Sequence, residues 1–303
     1  MEPRQLIMLA FAISLFLTVL GFGLRASFAD LLYLVRRPGL LTRTVLSMFV
    51  IVPVAAVVID LVFELDHRVE IILITLALSP VPPLLPKKAT KVNAGNEYPL
   101  ALITTMALVS LATVQISILI LERFLGRDFG MSPGAMARTI LISVVAPLVT
   151  GMVVRTLLPR FAARVAKPIA VVAGILLALA AVILVVSTFS AIRALATWQT
   201  VLAMVAFVVI GLAAGHVLGG PDPEHAGVLA LASAGRHPGI ALAIATANFP
   251  GEQFGGLILL YLIVGAVICV PYSKWQRAEV AEPVMGPGRG DAIARAKRSR
   301  GKP

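Results

Sequence analysis

Two short stretches place charge and helix-breaking residues inside long apolar runs. The first reads Ser79-Pro-Val-Pro-Pro-Leu-Leu-Pro-Lys-Lys88, so Pro80, Pro82, Pro83 and Pro86 are followed at once by Lys87 and Lys88. The second is Arg236-His237-Pro238-Gly239. Proline removes a backbone N–H and clashes with the preceding turn, so neither stretch continues a helix. Each break creates helix ends within an apolar segment. The N-terminal ends carry free N–H groups and partial positive charge, which suits an anion. The chemistry these residues suggest is the holding of an anion, with no bond made or broken.

Each candidate has a plainer reading. A single proline kink commonly only shapes packing, but four prolines joined to two lysines and matched by a second basic break exceed that. Lys87 and Lys88 either face the site or reach the cytoplasmic surface by snorkelling; Lys91 is given the second role. Thr90 and Asn93 follow in what reads as a re-entering segment, and Asn93 and Asn96 are candidates to cap a helix end. Arg236 lies near the middle of its run, and no Asp or Glu lies within that run after Glu224 to pair with it. A central arginine must pair, hydrate or bind an anion. His237 is either a satisfied core histidine or a proton carrier, its reference pKa of about 6.5 leaving both open. Thr104, Thr105, Ser110, Thr113, Gln115 and Ser117 make one run unusually polar, yet Ser and Thr often bond their own helix backbone.

The elements that must position these residues follow from composition. Of 303 residues, 59% are hydrophobic and 14% charged, and mean hydropathy is +0.96. Soluble domains carry about 25% charged residues. A globule of this size cannot hide the apolar surplus, so the chain is read as an all-α polytopic membrane protein. A span needs about 20 apolar residues. Nine candidates lie at roughly 5–24, 40–63, 69–95, 97–121, 137–158, 168–190, 197–219, 226–248 and 252–273. The third and eighth are the broken ones. The first is read as a retained helix, being too long for a signal peptide's apolar region. Phe28 to Val35 is a short amphipathic stretch suited to the interface.

The net charge of +11 would suggest nucleic acid in a soluble protein. With nine spans the Lys and Arg residues fall 19 on one side and six on the other, with Arg236 inside a span. Lys and Arg are retained on the cytoplasmic side. The N-terminus is therefore expected outside and the C-terminus in the cytoplasm, in an inner or plasma membrane. The transmembrane domain is set at 1–275. The basic Gly- and Pro-rich tail, 276–303, is read as disordered and touching anionic lipid, and no nucleic-acid partner is expected.

Several classes are disfavoured. The one cysteine, Cys269, allows no internal disulfide and no cysteine metal cluster. Walker A, GxGxxG and HExxH patterns are missing, so an ATP-driven pump and a metalloprotease lack support. No nucleophile–base pair stands out, so an enzyme is not expected, and no cofactor or metal is. Both broken runs contain Leu-Ala-Leu, at 76–78 and 229–231, and each is followed by one unbroken run and a basic stretch. Paired interrupted helices in two halves of a membrane protein point to a transporter's binding site.

At these residues the chain resembles a family. Gly21-Phe-Gly-Leu-Arg-Ala-Ser-Phe-Ala-Asp30 with Arg36-Arg37-Pro38 is similar to the start of the bile acid/sodium symporter superfamily. Pro147-Leu-Val-Thr-Gly-Met-Val-Val-Arg155 with Ala166-Lys-Pro168 is similar to its middle, and Arg236 to Pro250 resembles a bacterial branch. The order of these motifs over residues 10–273 carries the resemblance more than any one of them. It implies inverted repeats, panel and core domains, and two discontinuous helices crossing behind the substrate. The core would hold the spans from 69 to 158 with the last three.

The chain departs from the sodium-binding pattern at the crossing. Sodium-binding members carry Pro-Gly-Gly and then Ser-Asn at the first crossing helix, where Ser79 to Lys88 stands here. At the second they carry Glu, then Gln-Asn, where Ala232 and Arg236-His237 stand here. Thr105 corresponds to one ligand position, and one hydroxyl is not a site. The expectation is a secondary transporter of a small organic anion, with basic residues in place of sodium and a proton role open. A sodium symporter with rearranged ligands is the alternative. A membrane sensor that binds the ligand without moving it is the reading of another class.

Overall fold

The computed structural model describes residues 3–80, 97–125 and 132–281. Lys87, Lys88, Thr90, Asn93, Pro82, Pro83 and Pro86 lie outside the described residues, as does the tail from 282. Among the described residues every regular element is helical. The helices are α1 (Pro3–Gly23), α2 (Phe28–Val35), α3 (Pro38–Leu46, Ser47–Ile51 and Val52–Phe63) and α4 (His67–Leu78). After the first gap come α5 (Glu97–Leu125), α6 (Pro133–Ile140, Leu141–Val145 and Ala146–Leu157) and α7 (Pro159–Leu195). The last four are α8 (Trp198–Gly219), α9 (Pro223–Ala234), α10 (Pro238–Asn248) and α11 (Gly255–Ala281).

Six helical segments among the described residues are long and apolar enough to cross a membrane. They become seven if Ala12–Gly23 and Phe28–Val35, bent by 82° at the break between them, count as one span. Of the nine expected spans, that at 69–95 is described only as far as Pro80. That at 168–190 falls within α7, a continuous helix of 37 residues that also takes in the preceding basic loop. The expected tail begins too early, because α11 runs on to Ala281 and buries Gln276, whose amide donates to the Pro223 carbonyl at 2.7 Å.

Local chemistry sets these boundaries. The Ser27 and Asp30 side chains form a reciprocal capping box at the start of α2. Asp66, Ser132, Thr197 and Asp222 cap α4, α6, α8 and α9 with their side-chain oxygens. Ser47–Ile51 and Leu141–Val145 are single π-helical turns, each shortly before a proline, Pro53 or Pro147. A proline leaves the carbonyl four residues earlier without its helical N–H. In α3 that carbonyl belongs to Phe49, and the Ser117 hydroxyl of α5 donates to it at 3.3 Å.

Close helix packing follows the small residues. Gly211, Gly215 and Gly219 of α8 face Ala234, Ala230 and Ala226 of α9. A Cβ on Gly211 would stand 2.8 Å from the Ala234 Cα, and one on either other glycine would overlap the opposing backbone. Such small-xxx-small faces let helix backbones approach without side chains between them. Gly23 of α1 and Gly151 of α6 meet in the same way. Helices α1, α6 and α7 pack on one another, α3, α4, α8, α9, α10 and α11 form a second set joined to the first where α11 packs on α7, and α2 lies on α5. The expected core took in 69 to 158, but α6 makes its most extensive contact with α1.

The two broken segments lie innermost. Every residue of α4 from Val69 to Leu78 is buried, as is Ser79. The most apolar window of Pro223–Asn248 is 89% buried, against 39–50% for the other spanning segments. Outward-facing leucines and valines on the rest, such as Val58, Leu119 and Val209, suit lipid contact.

Candidate functional site

Helix α4 ends because Pro80 cannot continue it. Ser79 before the proline is extended, with φ −71° and ψ 148°, as a residue preceding proline tends to be. A helix C-terminus leaves carbonyls without intrahelical partners and carries partial negative charge. Two carbonyls of this last turn, on Leu76 and Ala77, point at Arg236, although that of Leu76 also accepts from the Ser79 N–H at 3.0 Å. The arginine Nε donates to the Leu76 carbonyl at 3.1 Å, and its Nη2 donates to the Ala77 carbonyl.

Arg236 occupies the gap between α9 and α10 and is 1% exposed. Its backbone N–H donates to the Tyr261 hydroxyl at 2.6 Å, and that hydroxyl donates to the Ala234 carbonyl at 2.7 Å. One phenol therefore satisfies both sides of the α9 break. The guanidinium carbon lies 5.8 Å from the centre of the Phe49 ring, within the range of a cation–π contact. The charge is thus held by two carbonyls, a helix C-terminus and an aromatic face. Among the described residues, Arg236 forms no ion pair with a carboxylate.

The other half of the junction is built from Ser79 and His237. The Ser79 hydroxyl donates to the Leu76 carbonyl at 2.7 Å and accepts from the His237 backbone N–H at 2.9 Å. His237 is the N-cap of α10, its Nδ1 accepting from the Ile240 N–H at 3.3 Å. An Nδ1 that accepts carries no proton, so in the neutral ring the proton is on Nε2, which becomes a donor. That Nε2 and Arg236 Nη1 are buried and have no hydrogen-bond partner among the described residues. Two consecutive residues therefore present unused donors at the break.

The expected residues are brought together only in part. Pro80, Arg236, His237, Pro238 and Gly239 converge, with Gly239 so close to Leu15 of α1 that a Cβ there would clash. Thr105 is buried, but its hydroxyl donates to the Leu31 carbonyl of α2 at 3.3 Å rather than to any residue of the break. Most other polar residues of α5 bond their own helix, as Thr104, Ser110, Thr113 and Gln115 do. Ser79, Tyr261 and Phe49 escaped the sequence reading. Ser79 was visible as the residue opening the proline run. Nothing in the spacing marks Tyr261 or Phe49.

Two polar contacts tie further helices to the broken pair. Asn248, at the end of α10, accepts from the Ser132 N–H before α6 at 2.8 Å. His225 of α9 joins the Tyr33 hydroxyl of α2 at 3.1 Å and packs edge-on to Tyr98 of α5 at 4.7 Å. No set of three or more His, Cys, Asp or Glu side chains that could hold a metal ion occurs among the described residues.

The chain matches the model of the Sodium Bile acid symporter family over residues 12–195. That stretch runs from α1 through α7 and includes α4, but it ends before Arg236. No curated protein matches the chain. The family match covers more than half of the sequence and coincides with described residues whose regular elements are all helices, with six helical segments long and apolar enough to cross a membrane. The chain belongs to the sodium/bile acid symporter family and is an integral membrane protein of the transporter kind.

Proposed function

We propose that this protein is a secondary transporter of a small organic anion, working by alternating access without sodium coupling. Its nine spans would place the N-terminus outside and the basic tail in the cytoplasm, as the charge distribution favours. The observation that carries the reading is the buried Arg236 guanidinium on the Leu76 and Ala77 carbonyls, with its Nη1 and the Nε2 of the next residue, His237, both unused among the described residues.

In this reading Arg236 does the work of a bound cation. A sodium ion at a helix break would be held by carbonyl oxygens and neutralise the helix C-terminus. Here the guanidinium takes those oxygens. A sodium ion about 4 Å from it would be repelled by about 4 kcal/mol at an effective dielectric of about 20. That corresponds to about a thousandfold in affinity. An arginine at the bilayer centre costs about 2.5–3.5 kcal/mol on insertion scales. Two charge-assisted hydrogen bonds, each worth about 1.5–3 kcal/mol, offset that cost.

The unused donors supply the substrate preference. Buried donors without acceptors are costly, so a carboxylate or sulfonate oxygen arriving at Arg236 Nη1 and His237 Nε2 is favoured. Lys87 and Lys88 would add positive charge on the far side of the first break. His237 would orient its ring as a cap and donate from Nε2; a proton carried on that ring is the variant reading. The contacts Asn248–Ser132 and His225–Tyr33, which join different helix pairs, are candidates to open and close as the access changes.

The test is a thermal-shift screen of organic anions on purified protein, repeated with Arg236→Gln. The expected result is stabilisation by at least one carboxylate or sulfonate that falls at least tenfold in apparent affinity in the variant. A ligand whose affinity ignores the substitution removes Arg236 from the site.

A further inference from the structure

A second basic site is built away from the broken helices. The end of α1, the end of α6 and the start of α7 enclose a cavity of about 360 Å³. Its walls carry Arg25, Arg155 and Lys167 over a floor of Leu24, Pro159 and Ala166, and no carboxylate lines it. The three cations come from sequence positions up to 142 residues apart, so the fold gathers them. Arg155 is not loose: its Nη1 donates to the backbone carbonyl of Arg25, which also lines the cavity. Leu24 packs with Ala162 and Ala166 beneath. The first turns of α7 add Arg160 and Arg164, which with Lys167 recur at helical spacing along one face. Beside the cavity Leu157, Leu158 and Phe161 project outward, each more than half exposed.

We propose that this cavity is a headgroup site for an anionic phospholipid. Three cations without an acid fit a phosphodiester. Arg supplies paired donors to phosphate oxygens, and Lys a point charge. The exposed Leu157, Leu158 and Phe161, close in the chain to the lining Pro159, fit the adjoining acyl chains. A soluble phosphate would use the cations but have no need of these apolar residues. Basic pockets between spanning helices at one membrane face are suited to acidic lipid heads. The lipid would fasten the α1–α6–α7 set to that leaflet, independently of what the transporter carries.

The experiment uses the full chain in nanodiscs of phosphatidylcholine, with or without phosphatidylglycerol. Lipid retained after mild detergent extraction is counted by mass spectrometry, and the unfolding temperature is recorded. Expected are preferential retention of phosphatidylglycerol and a higher unfolding temperature with it. Arg155→Ala/Lys167→Ala should lower retention at least several-fold. Lys167→Ala alone, at an exposed position, should lower it in part and guards against a folding defect in the double variant. Arg68→Ala, at the N-terminus of α4, should leave it unchanged. Equal retention of both lipids, or retention that survives Lys167→Ala and the double variant, overturns the proposal. So does a gain in unfolding temperature from inorganic phosphate or glycerol phosphate in phosphatidylcholine discs that matches the phosphatidylglycerol effect, since it assigns the site to soluble phosphate.

Discussion

Arg236 Nε and the Leu76 carbonyl are joined at 3.1 Å across 160 residues of sequence. The bond links the break between α9 and α10 to the C-terminus of α4, and it makes the two interruptions a single structure. Neither break is satisfied alone: α4 ends with the Ala77 carbonyl lacking a donor of its own helix, and the second break carries a charge that no carboxylate among the described residues pairs. Each supplies what the other needs.

Removing Arg236 should therefore damage more than a substrate contact. Arg236→Ala strands the buried Ala77 carbonyl, at about 1–3 kcal/mol, and leaves that of Leu76 to Ser79 alone. The unfolding temperature in detergent should fall by several degrees and uptake into proteoliposomes should be lost. Sodium should raise the variant's unfolding temperature relative to choline and leave the wild type unmoved. A variant as stable as the wild type removes Arg236 from its structural role.

Tyr261→Phe tests the other side of the same residue. The substitution keeps the ring and deletes the hydroxyl that bridges Arg236 N–H and the Ala234 carbonyl. Loss of stability is expected at about 1–3 kcal/mol, the range for a buried donor and acceptor left without a partner. Chemical denaturation in micelles would measure it.

The cap role of His237 separates from its donor role by choice of replacement. Asn retains an oxygen able to accept from the Ile240 N–H, and Ala does not. His237→Ala should cost about 1 kcal/mol of stability and His237→Asn much less. If Nε2 contacts the anion, both should weaken binding. Equal stability loss in the two variants would remove the cap from the explanation.

Bulk on the glycine face of α8 should displace α9. Gly215→Val places a side chain on the backbone of Ala230 and Leu229, where overpacking of this kind costs about 1–3 kcal/mol or more. The same change at Gly174, where a Cβ meets nothing within 4 Å, should be nearly silent. Comparing the two by folded yield and unfolding temperature checks that the zipper holds the second broken segment in place.

The breaks themselves were legible because proline and a mid-run arginine are strong local signals. Arg236 and Pro80 could be paired by analogy between the two halves, but not by spacing. The pairing uses backbone carbonyls of Leu76 and Ala77, and a carbonyl leaves no mark on residue type. Tyr261 was hidden for a similar reason, since a tyrosine in an apolar run reads as packing until its hydroxyl is seen between two chain ends. Thr105 shows what a family position alone leaves out. Its resemblance to a ligand position suggested a place in the site, but α2 docks on α5 and the Leu31 carbonyl claims the hydroxyl. The last helix runs past the expected span at 252–273, with Pro271 tolerated inside it and Gln276 buried against Pro223. The Gly211-x3-Gly215-x3-Gly219 pattern was in plain view and would have placed α8 against a small-residue helix.

The most direct test of Arg236 as the built-in cation is anion uptake into proteoliposomes with an inward sodium gradient, set against the same vesicles in choline. Equal initial rates in the two media, abolished together by Arg236→Ala, are expected. Uptake by the wild type that requires sodium would contradict it.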